Sequence, residues 1–245
     1  MFNPFGDFED RGYLRNTLKE KDLDVIKELE HAIFRAKLEE ALTTLEAVKG
    51  PITYAHFLNV HKILFGNLYE WAGKDRSDLG VAGLVNKGSV QFEAAGNIKR
   101  AMTHALAHGN DKSKMSTEPG YVMGMMAWAH PFLDGNGRTM LLVHVELCHR
   151  AGFAIDWTQS KKSDYLEALT RELNQPGNRD LDKYMLDRKC APISRDEWHQ
   201  ILHDMPGLDG LEELGPSESY SADDPVAQAK YQEAAARRLS PPGMS

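Results

Sequence analysis

The chain has 245 residues, 42% of them hydrophobic and 27% charged, with a net charge of −7. That is enough chain and enough apolar material for a sizeable core, and the acidic balance argues against non-specific nucleic-acid binding, which needs a basic surface. Two cysteines make no disulfide framework, no apolar run approaches membrane-spanning length, and the acidic, polar first ten residues do not read as a signal peptide. The expected setting is therefore the cytoplasm, either of the producing cell or of one into which the protein is delivered.

In chain order, residues 1–20 are polar and read as an irregular arm. From Asp22 to Lys49 the spacing predicts a long amphipathic helix with Val25, Ile26, Leu29, Ile33, Ala36, Leu42 and Leu45 as its apolar stripe, stopped by Gly50-Pro51. Thr53 caps a second helix through Phe65. Between residues 74 and 97, Gly80, Gly83 and Gly88 break the helical period, and Val81, Leu84, Val85, Val90 and Phe92 suggest a small β-hairpin or extended flap. Helix returns from Glu93 to Ala107, and residues 109–119 read as a polar linker. Two apolar helices follow, Tyr121–Ala129 and Thr139–Arg150, and a short apolar link runs from Phe153 to Trp157. Further helices are expected over Ser163–Leu173, from an Asn178 cap to about Arg188, and from a Ser194-Arg195-Asp196-Glu197 capping box through His203. Residues 204–224 carry seven carboxylates and no Lys or Arg, the composition of a solvated linker. Asp224-Pro225 then opens an alanine-rich helix to about Leu239. The expected organisation is an arm and long helix over 1–50, a core over 51–190, and C-terminal helices with an acidic linker over 191–245.

The chemistry is concentrated in His130-Pro131-Phe132-Leu133-Asp134-Gly135-Asn136-Gly137-Arg138. A polar, glycine-rich loop lies between two apolar helices and feeds a helix N-terminus, where unpaired N–H groups and the helix dipole favour an anion. Gly135 and Gly137 permit close backbone approach to a phosphate; Asn136 can donate to it and Arg138 can fork onto its oxygens. Asp134 suits a hard cation such as Mg²⁺. His130, beside this cradle, stands where a general base would. A calcium loop fails because Arg138 occupies a ligand position, and a dinucleotide fingerprint fails because Met140 replaces its third glycine. The spaced pairs His104/His108 and His199/His203 have no evident third metal ligand and read as polar helix faces. His144 and His149 are expected to satisfy local polar groups, and His61 to be structural.

The stretch resembles the Fic family signature, His-Pro-Phe-x-Asp/Glu-Gly-Asn-Gly-Arg-x-x-Arg, and His61 through Arg76 is similar to the segment leading into the Fic flap. Gly12-Tyr13-Leu14-Arg15-Asn16 resembles a segment that precedes some Fic cores. The resemblance covers about residues 50–190 and implies an all-α fold, a Fic-type helical bundle with a small β-hairpin flap. It implies a protein adenylyltransferase that moves AMP from Mg-ATP to a Ser, Thr or Tyr hydroxyl of a target protein. His130 and Arg138 would be catalytic, Gly135, Asn136, Gly137 and Arg138 would bind nucleotide, and Asp134 would hold Mg²⁺. The flap residues Lys87, Gly88, Ser89, Val90, Gln91 and Phe92 would pair with a strand of the target, and a separate antitoxin-like inhibitory protein is a further candidate partner. One position departs from the signature: its second arginine falls on Leu141. That keeps open transfer of another group, UMP or phosphocholine, and a catalytically weak nucleotide-binding relative. The family's inhibitory helix pairs a glutamate with that arginine. Neither Ser89–Glu93 nor Ser163–Glu167 completes its motif, so no such helix is expected in this chain.

Overall fold

A computed structural model describes residues 15–81, 84–203, 218–221 and 225–239. Gly12-Tyr13-Leu14, most of the arm and most of the acidic linker lie outside the described residues. The architecture is mostly helical, as expected, with two small sheets among the described residues. Helix α1 (Leu23–Ala47) starts at Asp22, whose side chain accepts from the N–H groups of Asp24 and Val25. Its buried face is Ile26, Glu30, Phe34, Leu38, Ala41 and Leu45, rotated from the expected stripe: Val25 and Ala36 are exposed. Phe34 and Leu38 are bulkier and set the packing face, and this carries a carboxylate, Glu30, into the interior. Helix α2 (Tyr54–Phe65) packs against α1 and contributes Phe57, Val60, Leu64 and Phe65 to the same core.

The flap follows as strands β1 (Leu84–Lys87) and β2 (Val90–Gln91), joined at Gly88, which takes φ +59°. Helix α3 (Ile98–Asn110) begins later than the sequence suggested. Glu93 stays extended because its N–H donates to Trp128 C=O (2.9 Å), and a 3₁₀ turn over Ala95–Asn97 intervenes. The supposed linker 109–119 contains a helix of its own, α4 (Lys112–Thr117). The Asp111 side chain caps its first N–H groups, and Met115 is fully buried.

The central pair is α5 (Pro119–Ala129) and α6 (Asn136–Arg150), apolar nearly all round and accordingly buried. Beyond them come β3 (Ala154–Ile155), α7 (Lys162–Asn174), α8 (Asp180–Leu186), β4 (Lys189–Cys190) and α9 (Arg195–His203). Strands β3 and β4 pair antiparallel. Asn178 does not cap α8; Arg179 does, in the left-handed region, with its guanidinium paired to Asp182 at 3.0 Å. Asp182 in turn accepts from Gly120 N–H (2.7 Å) and Tyr121 N–H (3.0 Å), satisfying the start of α5 from a helix 60 residues away in sequence.

The C-terminal segment is not a detached tail. Residues 218–221, expected to be solvated linker, form strand β5 (Glu218–Ser221), which pairs antiparallel with β1 to give the sheet order β2-β1-β5. Backbone hydrogen bonds to an otherwise open strand edge outweigh the segment's polar composition. Helix α10 (Pro225–Leu239) then lies against the flap and α7: Gln91 donates to Ala227 C=O, and the Arg238 guanidinium sits over the Trp128 ring.

Two histidines are buried neutral. His144 lies 2.8 Å from Pro119 C=O, and burial lowers its pKa to about 4; burial lowers that of His61 to about 3. The unfolded chain binds protons at both sites below about pH 6.5 while the folded chain refuses them, so stability is complete above that pH and falls as the medium is acidified. Each site accounts for about 2 kcal/mol between pH 6.5 and pH 5. Urea unfolding should therefore show His144→Gln losing about 2 kcal/mol less than wild type across that range.

Candidate active site

Helix α5 ends at Ala129, and His130 caps it in the left-handed region, φ 42° and ψ 59°. A non-glycine residue held there costs about 1–3 kcal/mol unless its surroundings fix it. Arg76 fixes it. This fully buried arginine donates from Nε to His130 C=O (2.8 Å) and from its guanidinium to Glu93 C=O (2.8 Å), and its own N–H donates to Pro131 C=O (2.8 Å). Arg76 thus ties the loop to the end of the flap.

His130 is 7% exposed, and its ring lies face to face with that of Phe92, centroids 3.9 Å apart. Asn136 is differently employed from the expectation that it donates to a phosphate. Its Oδ1 accepts from Phe132 N–H (2.9 Å), and its Nδ2 donates to Phe132 C=O (2.7 Å) and lies 3.3 Å from His130 Nε2. The two bonds to Phe132 fix which way the amide points. An NH₂ group can only donate, so Nε2 of His130 is an acceptor and bears a lone pair. Asn136 thus positions the His130 ring, and the backbone N–H groups at the start of α6 are the groups this arrangement can offer an anion.

The two glycines differ. Gly135 is the N-cap of α6 with φ +72°, and a Cβ there would meet the Phe65 ring at 2.5 Å. At Gly137 a Cβ would meet nothing within 4 Å. Gly135 is required by the fold, whereas the space beside Gly137 is open.

Phe132 is fully buried, stacked on His61 (3.6 Å between centroids) and on Phe57 (5.6 Å). His61 accepts from Gly73 N–H at Nδ1 (2.9 Å) and so donates from Nε2 to Asp134 C=O (2.9 Å). A protonated ring would lose the first of these bonds, which agrees with its lowered pKa.

Arg138 lies over Phe65 (4.7 Å) and Phe34 (5.5 Å) and forms an ion pair with Glu30 of α1, with Asp134 at 3.7 Å on another side. Burial opposes its charge, but Glu30 and Asp134 outweigh burial and hold it protonated. Tyr69 donates its hydroxyl to the other oxygen of Glu30 (2.5 Å). Glu30 is the site residue that pattern reading missed. The signal was present, since a carboxylate spaced four residues from both Ile26 and Phe34 interrupts the buried stripe. Leu141, where the signature has a second arginine, is 8% exposed within the core.

The Asp134 side chain is about half exposed, and its Oδ1 accepts from Gly135 N–H at 2.5 Å. Among the described residues no group of three or more His, Cys, Asp or Glu forms a metal cage. One exposed carboxylate beside an anion-binding helix end fits an ion that takes its other ligands from water and phosphate, as Mg²⁺ does. The flap residues Lys87, Gly88, Ser89, Val90, Gln91 and Phe92 form the hairpin as expected, and Asn174 of α7 donates to Ser89 Oγ at 3.1 Å. His104 meets the Tyr121 hydroxyl (3.0 Å) and His108 meets Glu118 (2.6 Å), while the side chains of His199 and His203 lie outside what the structure describes.

Residues 51–148 match the Fic/DOC family model, a span running from the start of α2 to the last turns of α6. The chain carries a Fic domain. It is 30% identical over 199 residues to the protein adenylyltransferase VbhT of Bartonella schoenbuchensis, an alignment covering 78% of this chain and 40% of that protein. It is 27% identical over 170 residues to the Probable protein adenylyltransferase y4lH of Sinorhizobium fredii, covering 66% of this chain and 83% of that one. The chain thus spans less than half the length of VbhT. The fold is that of the BepC effector protein of Bartonella tribocorum, whose structure holds AMPPNP: the TM-score is 0.58 at 19% identity, over 73% of this chain and 92% of that one. The Fic core is packed on both sides by elements outside the matched span, α1 before it and α7 to α10 after it. No helix among the described residues is long and apolar enough to cross a membrane.

The contrast between the glycines can be measured by urea unfolding. Gly135→Ala should cost about 2 kcal/mol or more through the Phe65 clash and the positive φ. Gly137→Ala should leave stability within about 1 kcal/mol of wild type, because alanine favours the helix and meets open space.

Proposed function

We propose that this Fic domain is a protein adenylyltransferase that transfers AMP from Mg-bound ATP to a Ser, Thr or Tyr hydroxyl of a target protein. The observation that carries the reading is the Nε2 lone pair of His130, held by Asn136 and Phe92 beside the N-terminus of α6. His130 takes the proton of the attacking hydroxyl at Nε2, whose lone pair gives up its contact with the Asn136 amide as it does so. The hydroxyl oxygen bonds to the α-phosphorus, and the bond from that phosphorus to the departing pyrophosphate breaks. The N–H groups at the start of α6, kept accessible by Gly137, hold phosphate oxygens, and the Arg138 charge stabilises the negative charge that builds there. Asp134 would hold Mg²⁺, which when bound offsets phosphate charge. Positioning and electrostatics do most of the work, as in phosphoryl transfer generally.

Two adenylyltransferase-named relatives favour AMP over the alternatives left open by Leu141, UMP and phosphocholine. We place the target protein on the flap, where an extended segment adds as a strand. A separate antitoxin-like inhibitor remains a partner to test for, and the cytoplasm is the proposed compartment.

His130→Ala tests the reading. With labelled ATP, Mg²⁺ and a cell lysate as acceptor, label transfer to protein should fall 10²–10⁴-fold. ADP binding by calorimetry should be nearly unchanged, because the phosphate cradle begins beyond His130. Transfer at the wild-type rate by the variant would show that His130 is not the base.

A further inference from the structure

The outer edge of the flap is filled by the chain itself. Strand β5 covers all four residues of β1, with Leu84 opposite Ser221, Val85 opposite Tyr220, Asn86 opposite Ser219 and Lys87 opposite Glu218. The direction of the peptide groups follows from the other side of β1. Phe92 N–H donates to Val85 C=O at 2.9 Å, so Val85 turns its backbone groups towards β2. Successive residues of a strand alternate, so Leu84 and Asn86 turn theirs towards β5. In the antiparallel register, Ser221 and Ser219 are their bonded partners, and the N–H of Tyr220 faces away.

An isolated strand of four residues is marginal. This one is retained by the helix that follows it. Gln91 Nε2 donates to Ala227 C=O at 2.8 Å. The Tyr231 hydroxyl donates to Glu93 and accepts from Asn97 Nδ2 (3.0 Å). Arg238 donates to the Leu173 and Glu172 carbonyls while covering Trp128. Anchored this way, β5 meets β1 as an intramolecular ligand, at an effective concentration on the order of millimolar. The anchor also reaches the reaction centre: Glu93 adjoins Phe92, whose ring lies on His130.

We propose that the β1 edge is the strand-docking site for the target, and that residues 218–221 occupy it in cis, so that a target segment docks only after this strand leaves. The proposal rests on the transferase reading for what the incoming segment is, but the occupied edge stands on the register and the anchor alone. The resident strand carries Ser219, Tyr220 and Ser221, the residue types that the proposed reaction modifies, which fits a segment that stands in for a target.

The test uses the full chain and point variants. Ser219→Pro/Ser221→Pro removes both N–H donors of β5 that face β1, whereas Tyr220→Pro removes one that faces away and serves as the control. Amide exchange followed by NMR should show Leu84 and Asn86 exchanging at least about tenfold faster in the double variant than in wild type or Tyr220→Pro, with the amides of α5 and α6 unchanged. A fluorescent synthetic peptide with the sequence of residues 216–223 should bind the double variant at least about tenfold more tightly than it binds wild type, because in wild type the same sequence competes in cis. Equal exchange in all three proteins would overturn the proposal by showing that the edge is not occupied. Peptide binding no tighter to the double variant than to wild type would overturn it by showing that the vacated edge does not dock a strand. Neither readout involves nucleotide, so a chain that failed to transfer AMP would still give a clear answer about the edge.

Discussion

The site depends on one buried arginine. Arg76 donates to main-chain carbonyls, those of His130 and Glu93, while its own N–H reaches Pro131. Three segments are thereby joined: the lead-in to the flap, the turn that carries His130, and the flap's return. A buried charge is costly unless hydrogen-bonded. The bonds it makes here hold His130 in a backbone conformation that it would otherwise avoid and seat Phe92 against its ring. The placement of His130, the proposed base, thus comes from a residue outside its own loop.

A second constraint is the charge balance around Arg138. Its guanidinium lies between two phenyl rings and two carboxylates, with Glu30 held by Tyr69. An anion reaching the start of α6 meets a cation whose charge is already partly matched. Glu30 comes from α1, outside the family-matched span, so the electrostatics of the cradle depend on the helix that precedes the Fic core. At the other end of the chain, β5 and α10 lie on the flap. Both flanks of the core therefore reach the site, one through charge and one through backbone pairing.

Much of this was legible in the sequence. The apolar runs on either side of the signature are near-continuous, which is why α5 and α6 could be read as buried, although α6 starts at Asn136, three residues before the expected Thr139. The flap was legible from its glycines and β-branched residues. What escaped was settled by distant partners. Glu30 looks like any acidic residue on a helix until Phe34 and Leu38 rotate that face inward. Asn136 reads as a phosphate donor until Phe132 and His130 take its amide. The acidic stretch before α10 has a linker's composition, and nothing local distinguishes Glu218–Ser221 from its neighbours, because a strand added to an edge is specified by backbone groups of the strand it joins. Arg179, not Asn178, starts α8 because Asp182 draws its guanidinium back along the helix.

The central claim is that Arg76 makes the loop and the flap one mechanical unit. A double-mutant cycle of Arg76→Met and Phe92→Ala, measured by urea unfolding, tests it most directly. If Arg76 holds the flap's return and the base turn together, removing it already loosens the seat of Phe92 on His130, and the two losses overlap by about 1 kcal/mol or more. Losses that add to within about 0.5 kcal/mol would mean that the loop and the flap are held independently, and the account of the site built on Arg76 would be wrong.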